Sequence, residues 1–245
     1  MKQQKKENTL LSLAFNIAIP SILLIWAGKF LKSKGIEDFF GVDALLCVFL
    51  LALAFPTIYG VYDLIARKKW NLIAIIGVVS VFLTGGIGVM RLSREWIIAK
   101  ETLVPLVLGI AVTITAFTKK PLAKLLILND AVLDVNKIEK LLTERGTKAA
   151  FDREFLIATW LCAFSFLLSA ALNFYLACRI FTENATMEEF NEQVGKMTAL
   201  SWPVIVLPTT IFLIAAMFKV FSAIKKCCGV PFEEVVSPQL QENKK

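Results

Sequence analysis

Long apolar stretches alternate with short charged ones along this chain, at roughly residues 10–28, 42–62, 72–90, 102–118, 156–178 and 201–218. A helix that crosses ~30 Å of hydrocarbon at ~1.5 Å per residue needs about 20 mostly apolar residues. Each stretch is therefore predicted to be a transmembrane helix. The expected fold class is an all-α membrane protein, a bundle of about six transmembrane helices forming one integral membrane domain over residues 1–245. The first stretch follows a basic start resembling a secretion signal. Its apolar run exceeds the usual ~7–15 residues and no A-x-A cleavage site follows, so it is expected to remain as the first span.

Two polar stretches carry patterns of their own. Residues 119–155 form the longest connection, and Ile138, Leu141 and Leu142 recur there at helical spacing. Asn136 is placed to cap that helix, with Glu139 three residues on, and Gly146 to end it. This predicts a cytoplasmic amphipathic helix, either lying on the inner leaflet or packed beneath the bundle. Between the fifth and sixth stretches, "RIFTENATMEEFNEQVGKMTAL" holds four glutamates and two cations and is expected to be an acidic outer loop. It includes an N-A-T sequon at Asn184, which matters only in a host that glycosylates.

Composition and charge sharpen this pattern. With 57% hydrophobic residues and a mean hydropathy of +0.67, a chain of 245 residues is too apolar to hide its side chains in one water-soluble core. The net charge of +7 does not indicate nucleic acid, because the cations fall in short clusters between apolar runs. With a cytoplasmic N-terminus, the inner segments hold 19 of the 27 Lys and Arg and the outer ones 8. The positive-inside rule then places both termini, and the tail 219–245, in the cytoplasm of a bacterial inner membrane. All five tryptophans, at 26, 70, 96, 160 and 202, fall near predicted boundaries, where an indole has both an apolar and a wet surface.

Chemistry is constrained mostly by what is missing. The sequence has no histidine, which excludes Ser-His-Asp and Cys-His catalysis and histidine-based zinc sites. No cofactor or metal is expected, and the expectation is a protein that is not an enzyme. The five cysteines are predicted to be buried thiols, with lipidation of Cys227 and Cys228 left open.

The candidate polar positions divide by membrane side. Asn16, Tyr59, Tyr62, Asp63 and Arg67 are expected toward the cytoplasm, and Lys100, Glu101 and Asn173 toward the outside. Tyr59, Tyr62 and Asp63 share a helix face, with Arg67 four residues after Asp63, so they form either a small polar site or an interfacial belt beside a basic turn. Asp43 is expected to cap the second span. Glu101 suits the positive end of the fourth span and Lys100 does not; Lys100 either has a role of its own or snorkels to water. Asn16 and Asn173 are the strongly polar side chains within the hydrocarbon. Pro20, Pro56 and Pro105 can kink their helices, and "TGGIG" at 84–88 allows close packing or local unwinding.

The order of "FNIAIP", "FPTIYGVYDLIARKKW", "GGIG", "REWIIAKE" and "KKPLAKLL", followed by "ALNFYLACRIFTENATMEEFNEQVGKMTAL", resembles the bacterial intracellular septation protein A family and its multi-pass relatives. The resemblance covers most of residues 10–218. It implies an inner-membrane protein connected with the cell envelope and septum formation through protein contacts, and it implies no catalytic residue. The expected partners are the lipid bilayer and cell-envelope or division proteins, not nucleic acid, with homo-oligomerisation left open. A small-solute transporter or channel is the alternative.

Overall fold

The computed structural model describes residues 17–39, 41–67, 72–90, 92–118, 121–128 and 133–236, without the side chains of 63–67, 72–78, 81, 125 and 126. The chain is a membrane protein built almost wholly of α-helices. In order these are α1 (Ile19–Lys34), α2 (Ala44–Arg67), α3 (Leu72–Val89), α4 (Arg94–Thr115), α5 (Leu122–Ile127), α6 (Val135–Glu144), α7 (Lys148–Ile180), α8 (Met187–Ser201) and α9 (Leu207–Cys228). A two-residue antiparallel pair, Asp38–Phe39 with Val42–Asp43, joins α1 to α2 and turns at Gly41, whose φ of 79° is open to glycine. Asp43 caps α2 as expected: its Oδ1 accepts from the backbone N–H of Leu45 at 2.8 Å and of Leu46 at 3.3 Å.

Among the described residues, four helices are long and apolar enough to cross a membrane: Ala44–Tyr62, Arg94–Thr115, Lys148–Ile180 and the continuous run Met187–Cys228. Large apolar side chains project from them without cover, including Val107 at 59%, Ile211 at 65% and Phe218 at 66% exposure. Apolar surface of this extent is stable only against lipid or another apolar partner. Four spans are fewer than the six that apolar run length predicts. Helix α1 has 16 residues, about 24 Å of rise, short of ~30 Å of hydrocarbon, and part of the 10–28 stretch lies outside the described residues.

Two compact units divide the chain, one of residues 1–104 and 171–205, the other of 105–170 and 206–245. In the first, Leu24, Phe49, Ala52, Ile87, Ile97, Ala177, Val194 and Met197 form the core. Helix α8 is the chief departure from the expected outer loop. Thr186 and Glu189 close a capping box at its start, and its buried face carries Asn191, Val194, Gly195 and Met197. That face lies on α1. A Cβ at Gly195 would stand 2.9 Å from Leu24 and Ile25 and 3.1 Å from the Ser21 carbonyl, so a glycine is what permits the approach. Its glutamates reach the last turns of α1, with Glu192 3.6 Å from Lys29 and Glu188 3.5 Å from Lys32.

The second unit is closed by its amphipathic helix and tail. Helix α6 buries Ile138 and Leu142 in a core with Phe151, Phe155, Val220, Ile224 and Val235. Of the two placements open from sequence, packing against protein is the one observed. The cap is Asp134, not Asn136: its carboxylate accepts from the N–H of Lys137 at 3.0 Å. Helix α6 starts earlier because the tail holds the preceding backbone, with Asp134 N–H donating to the Val235 carbonyl at 2.8 Å and Leu133 bridged to Val236. Gly146, at φ 65°, ends the helix as expected. Cys227 and Cys228 are 2% and 0% exposed, so their thiols face the core and not a membrane surface.

The prolines and glycines pack without breaking helices. Helix α2 continues through Pro56 and α4 through Pro105, while Pro20 sits in the first turn of α1. Helix α3 runs unbroken through "TGGIG". A wider π-helical turn does occur at Trp202–Val206, a run that contains Pro203, whose missing N–H cannot complete an α-helical bond.

Candidate functional site

The first unit holds two polar features linked by α3 and α4. The first is a cleft of about 490 Å³. Its floor is Ile87, Ile97, Phe181 and Phe190, and its walls are the first turn of α4 and the loop from Phe181 into α8. Gly88 lets the floor form: a Cβ there would lie 2.5 Å from the Phe49 ring and 2.9 Å from Phe190. The two rings meet edge to face, with centroids 5.6 Å apart.

Arg94 begins α4 and supplies a cation to the cleft. Its Nη2 donates to the Cys178 carbonyl at 3.0 Å, and its Nη1 lies 3.7 Å from Glu183 Oε1. Its Nε is buried with no protein acceptor. A guanidinium has five N–H donors in a fixed fork, so this one is oriented by two partners and keeps bonding capacity for a third. Across the cleft, the Gln193 amide locks the end of α7 to α8, donating to Thr182 Oγ1 at 2.8 Å and accepting from Thr182 N–H at 3.3 Å. Asn184 is exposed on the loop between them, at φ 52°. The cleft presents a cation, the carboxylates of Glu95 and Glu183, and an apolar floor, a combination suited to a segment with both apolar and polar side chains.

The second centres on Lys100, six residues or about 9 Å further along α4. Its ammonium lies 2.6 Å from Glu101 Oε1 and donates to Thr84 Oγ1 of α3 at 2.9 Å. Thr84 in turn donates to the Ser80 carbonyl at 3.0 Å. The Lys100 side chain is 9% exposed and that of Glu101 23%. Lys100 does not snorkel. The pair lies inside a helix apolar enough to span a membrane, because that helix starts at Arg94 and not near residue 102. Paired, the two present no net charge to their surroundings.

The other sequence-derived positions are not brought into these features. Tyr59 is half-buried and Tyr62 exposed on α2. Asn16 and the side chains of Asp63 and Arg67 lie outside the described residues, and with them the proposed pairing of Asp63 with Arg67. Asn173 lies on α7, half-buried and hydrogen-bonded or otherwise engaged. Arg94, Glu183 and Gln193 were not singled out by sequence. Arg94 had a signal of its own, a cation at the first turn of a helix, where the backbone is already electropositive. Its partners Cys178 and Glu183 are far away in sequence and left no local trace.

No protein-family model matches the chain, and no curated protein or solved structure shows significant similarity to it.

Proposed function

We propose that this is a non-enzymatic multi-pass protein of a bacterial inner membrane that organises cell-envelope or septation partners. Helices α1 and α3 complete a set of six spans, both termini face the cytoplasm, and the chain is a distant relative of the intracellular septation protein A family. The observation that carries this reading is the Arg94 cleft, which opens at helix ends where apolar spans give way to charged residues, so its occupant arrives from the aqueous side. Its size, apolar floor and oriented guanidinium suit a loop or terminal segment of another envelope protein better than a metal or a phosphate. In-membrane crosslinking from Asn184 in the native host, followed by mass spectrometry, tests it. Recovery of a division or cell-wall protein is expected, and the same adduct should be lost in Arg94→Ala.

A second reading is favoured by one specific observation. A half-buried lysine–glutamate pair in a helix apolar enough to span a membrane is the kind of group that marks ion or solute pathways. If the protein is a small-solute transporter, reconstituted vesicles will show a flux that Lys100→Met abolishes. A scaffold will show no flux with either protein.

A further inference from the structure

In the second unit, residues 227–236 hold α6 at both of its ends. Just past its last turn, the Arg145 guanidinium lies against Gly229, where a Cβ would collide with it, and Thr147 Oγ1 donates to the Cys227 carbonyl at 2.8 Å. At its start, Lys137 Nζ donates to the Glu234 carbonyl at 2.7 Å, Asp134 N–H donates to the Val235 carbonyl at 2.8 Å, and Leu133 is bridged to Val236. Residues 227–236 therefore run back along α6 from its end to its beginning. Gly229 makes that reversal possible. At φ 71° it stops α9, its N–H still donating to the Lys225 carbonyl at 3.2 Å, and turns the chain onto α6.

The hold is concentrated at one side chain. Of residues 229–236, Val235 alone is buried, and it enters the core that also contains Ile138 and Leu142. Phe232 rests on Phe221 of α9, with ring centroids 4.0 Å apart, while Pro231, Glu233 and Glu234 are exposed. Ordering a segment of this length costs backbone entropy comparable with what one buried side chain and a few hydrogen bonds return. Helices α7 and α9 have contacts of their own that involve neither the segment nor α6. Glu154 of α7 pairs with Lys219 and Lys226 of α9, and Ser165 Oγ donates to the Thr209 carbonyl at 2.9 Å. The segment and α6 can thus open at a lower cost than the α7–α9 pair.

We propose that residues 230–236 are a strap, and that strap and α6 form one conformational switch that opens together while α7 and α9 stay paired. Closed, the strap fixes the backbone ahead of α6 and keeps Ile138 and Leu142 in the core. Open, it releases the Asp134 N–H and uncovers that apolar stripe. Because α6 belongs to the connection between α4 and α7, a change at the end of the chain is transmitted to that connection.

The test uses the full-length protein in phosphatidylcholine nanodiscs, with hydrogen exchange of each helix and cleavage by a glutamate-specific protease both read by mass spectrometry. Val235→Ser should raise exchange across α6 at least ~tenfold, the factor set by one buried aliphatic side chain, and leave α7 and α9 as they were. The reciprocal variant Ile138→Ala should speed cleavage at Glu233 and Glu234 by a similar factor, since the strap opens with the helix. Lys137→Met, a surface change that removes one bond to the strap and leaves the core intact, should move both readouts the same way by a smaller factor. Exchange in α6 that ignores Val235→Ser would overturn the proposal, as would cleavage indifferent to Ile138→Ala, because strap and helix would then move independently. Exchange that rises equally in α7 and α9 would overturn it too, because the second unit would then open as a whole.

Discussion

The two compact units use charge in opposite ways. In the first, Lys100 and Glu101 are withdrawn from water inside a span and completed by Thr84 of a neighbouring helix. In the second, Glu154 gathers Lys219 at 2.6 Å and Lys226 at 3.1 Å, with the Lys226 side chain 70% exposed. Both are lysine–glutamate contacts of nearly the same length. The glutamates are equally exposed, at 23%, and it is the cations that differ: Lys100, at 9%, is far less open to rehydration on losing its partner than Lys226, at 70%. What a charge pair does in this protein is therefore decided by where its helix lies, and the distance alone says little.

Five single substitutions and one double variant bear on that contrast. Glu101→Leu should have the largest effect, destabilising the folded protein by about 3 kcal/mol by leaving the Lys100 ammonium, only 9% exposed, without its anion. The double variant Lys100→Met/Glu101→Leu should recover most of that loss, and thermal unfolding in detergent measures both. If the single variant is as stable as the original, the pair is hydrated and the contrast disappears. Gly195→Leu comes next, at about 1–3 kcal/mol, because the new side chain must push α8 away from Leu24 and the Ser21 carbonyl. It separates packing from charge as the support of the first unit, and should also release the contacts of Glu188 and Glu192 with α1, visible as faster hydrogen exchange in α8.

A smaller effect is expected in the second unit from Asp134→Ala, about 1 kcal/mol for a lost helix cap. Asn136→Ala should do less, since Asn136 lies within the helix and does not cap it; the reverse order would return the cap to Asn136. Smallest of all should be Glu154→Gln, whose unfolding midpoint should be indistinguishable from the original in moderate salt. A clear loss of stability there would mean that the exposed pair resembles the buried one after all.

The sequence made the spanning helices legible where long, mostly apolar runs stood between charged clusters, as in α2, α4, α7 and α9. It also placed the amphipathic face of α6, because Ile138, Leu141 and Leu142 fall on one stripe whatever they pack against. It hid α8. Four glutamates made residues 179–200 look like a solvated loop, although Thr186 and Glu189 already had the spacing of a capping box. Its charges have partners, Lys29 and Lys32, that lie more than 150 residues away in the chain and leave no local trace. The candidate site was half legible for the same reason. Lys100 stood out locally as a cation at the wrong end of a helix, whereas Arg94 gains its meaning from Cys178 and Glu183, which tertiary structure alone brings to it. The cap of α6 followed the same rule, since the tail contact at Val235 set the start of the helix and local preference did not.

The most direct test of the central proposal is photo-crosslinking from Asn184 in living cells, with and without Arg94→Ala. A partner held in the Arg94 cleft predicts a discrete adduct with one cell-envelope or division protein, reduced at least severalfold by the substitution while the protein stays inserted and folded. Crosslinks to lipid alone, or an adduct indifferent to Arg94, would contradict it.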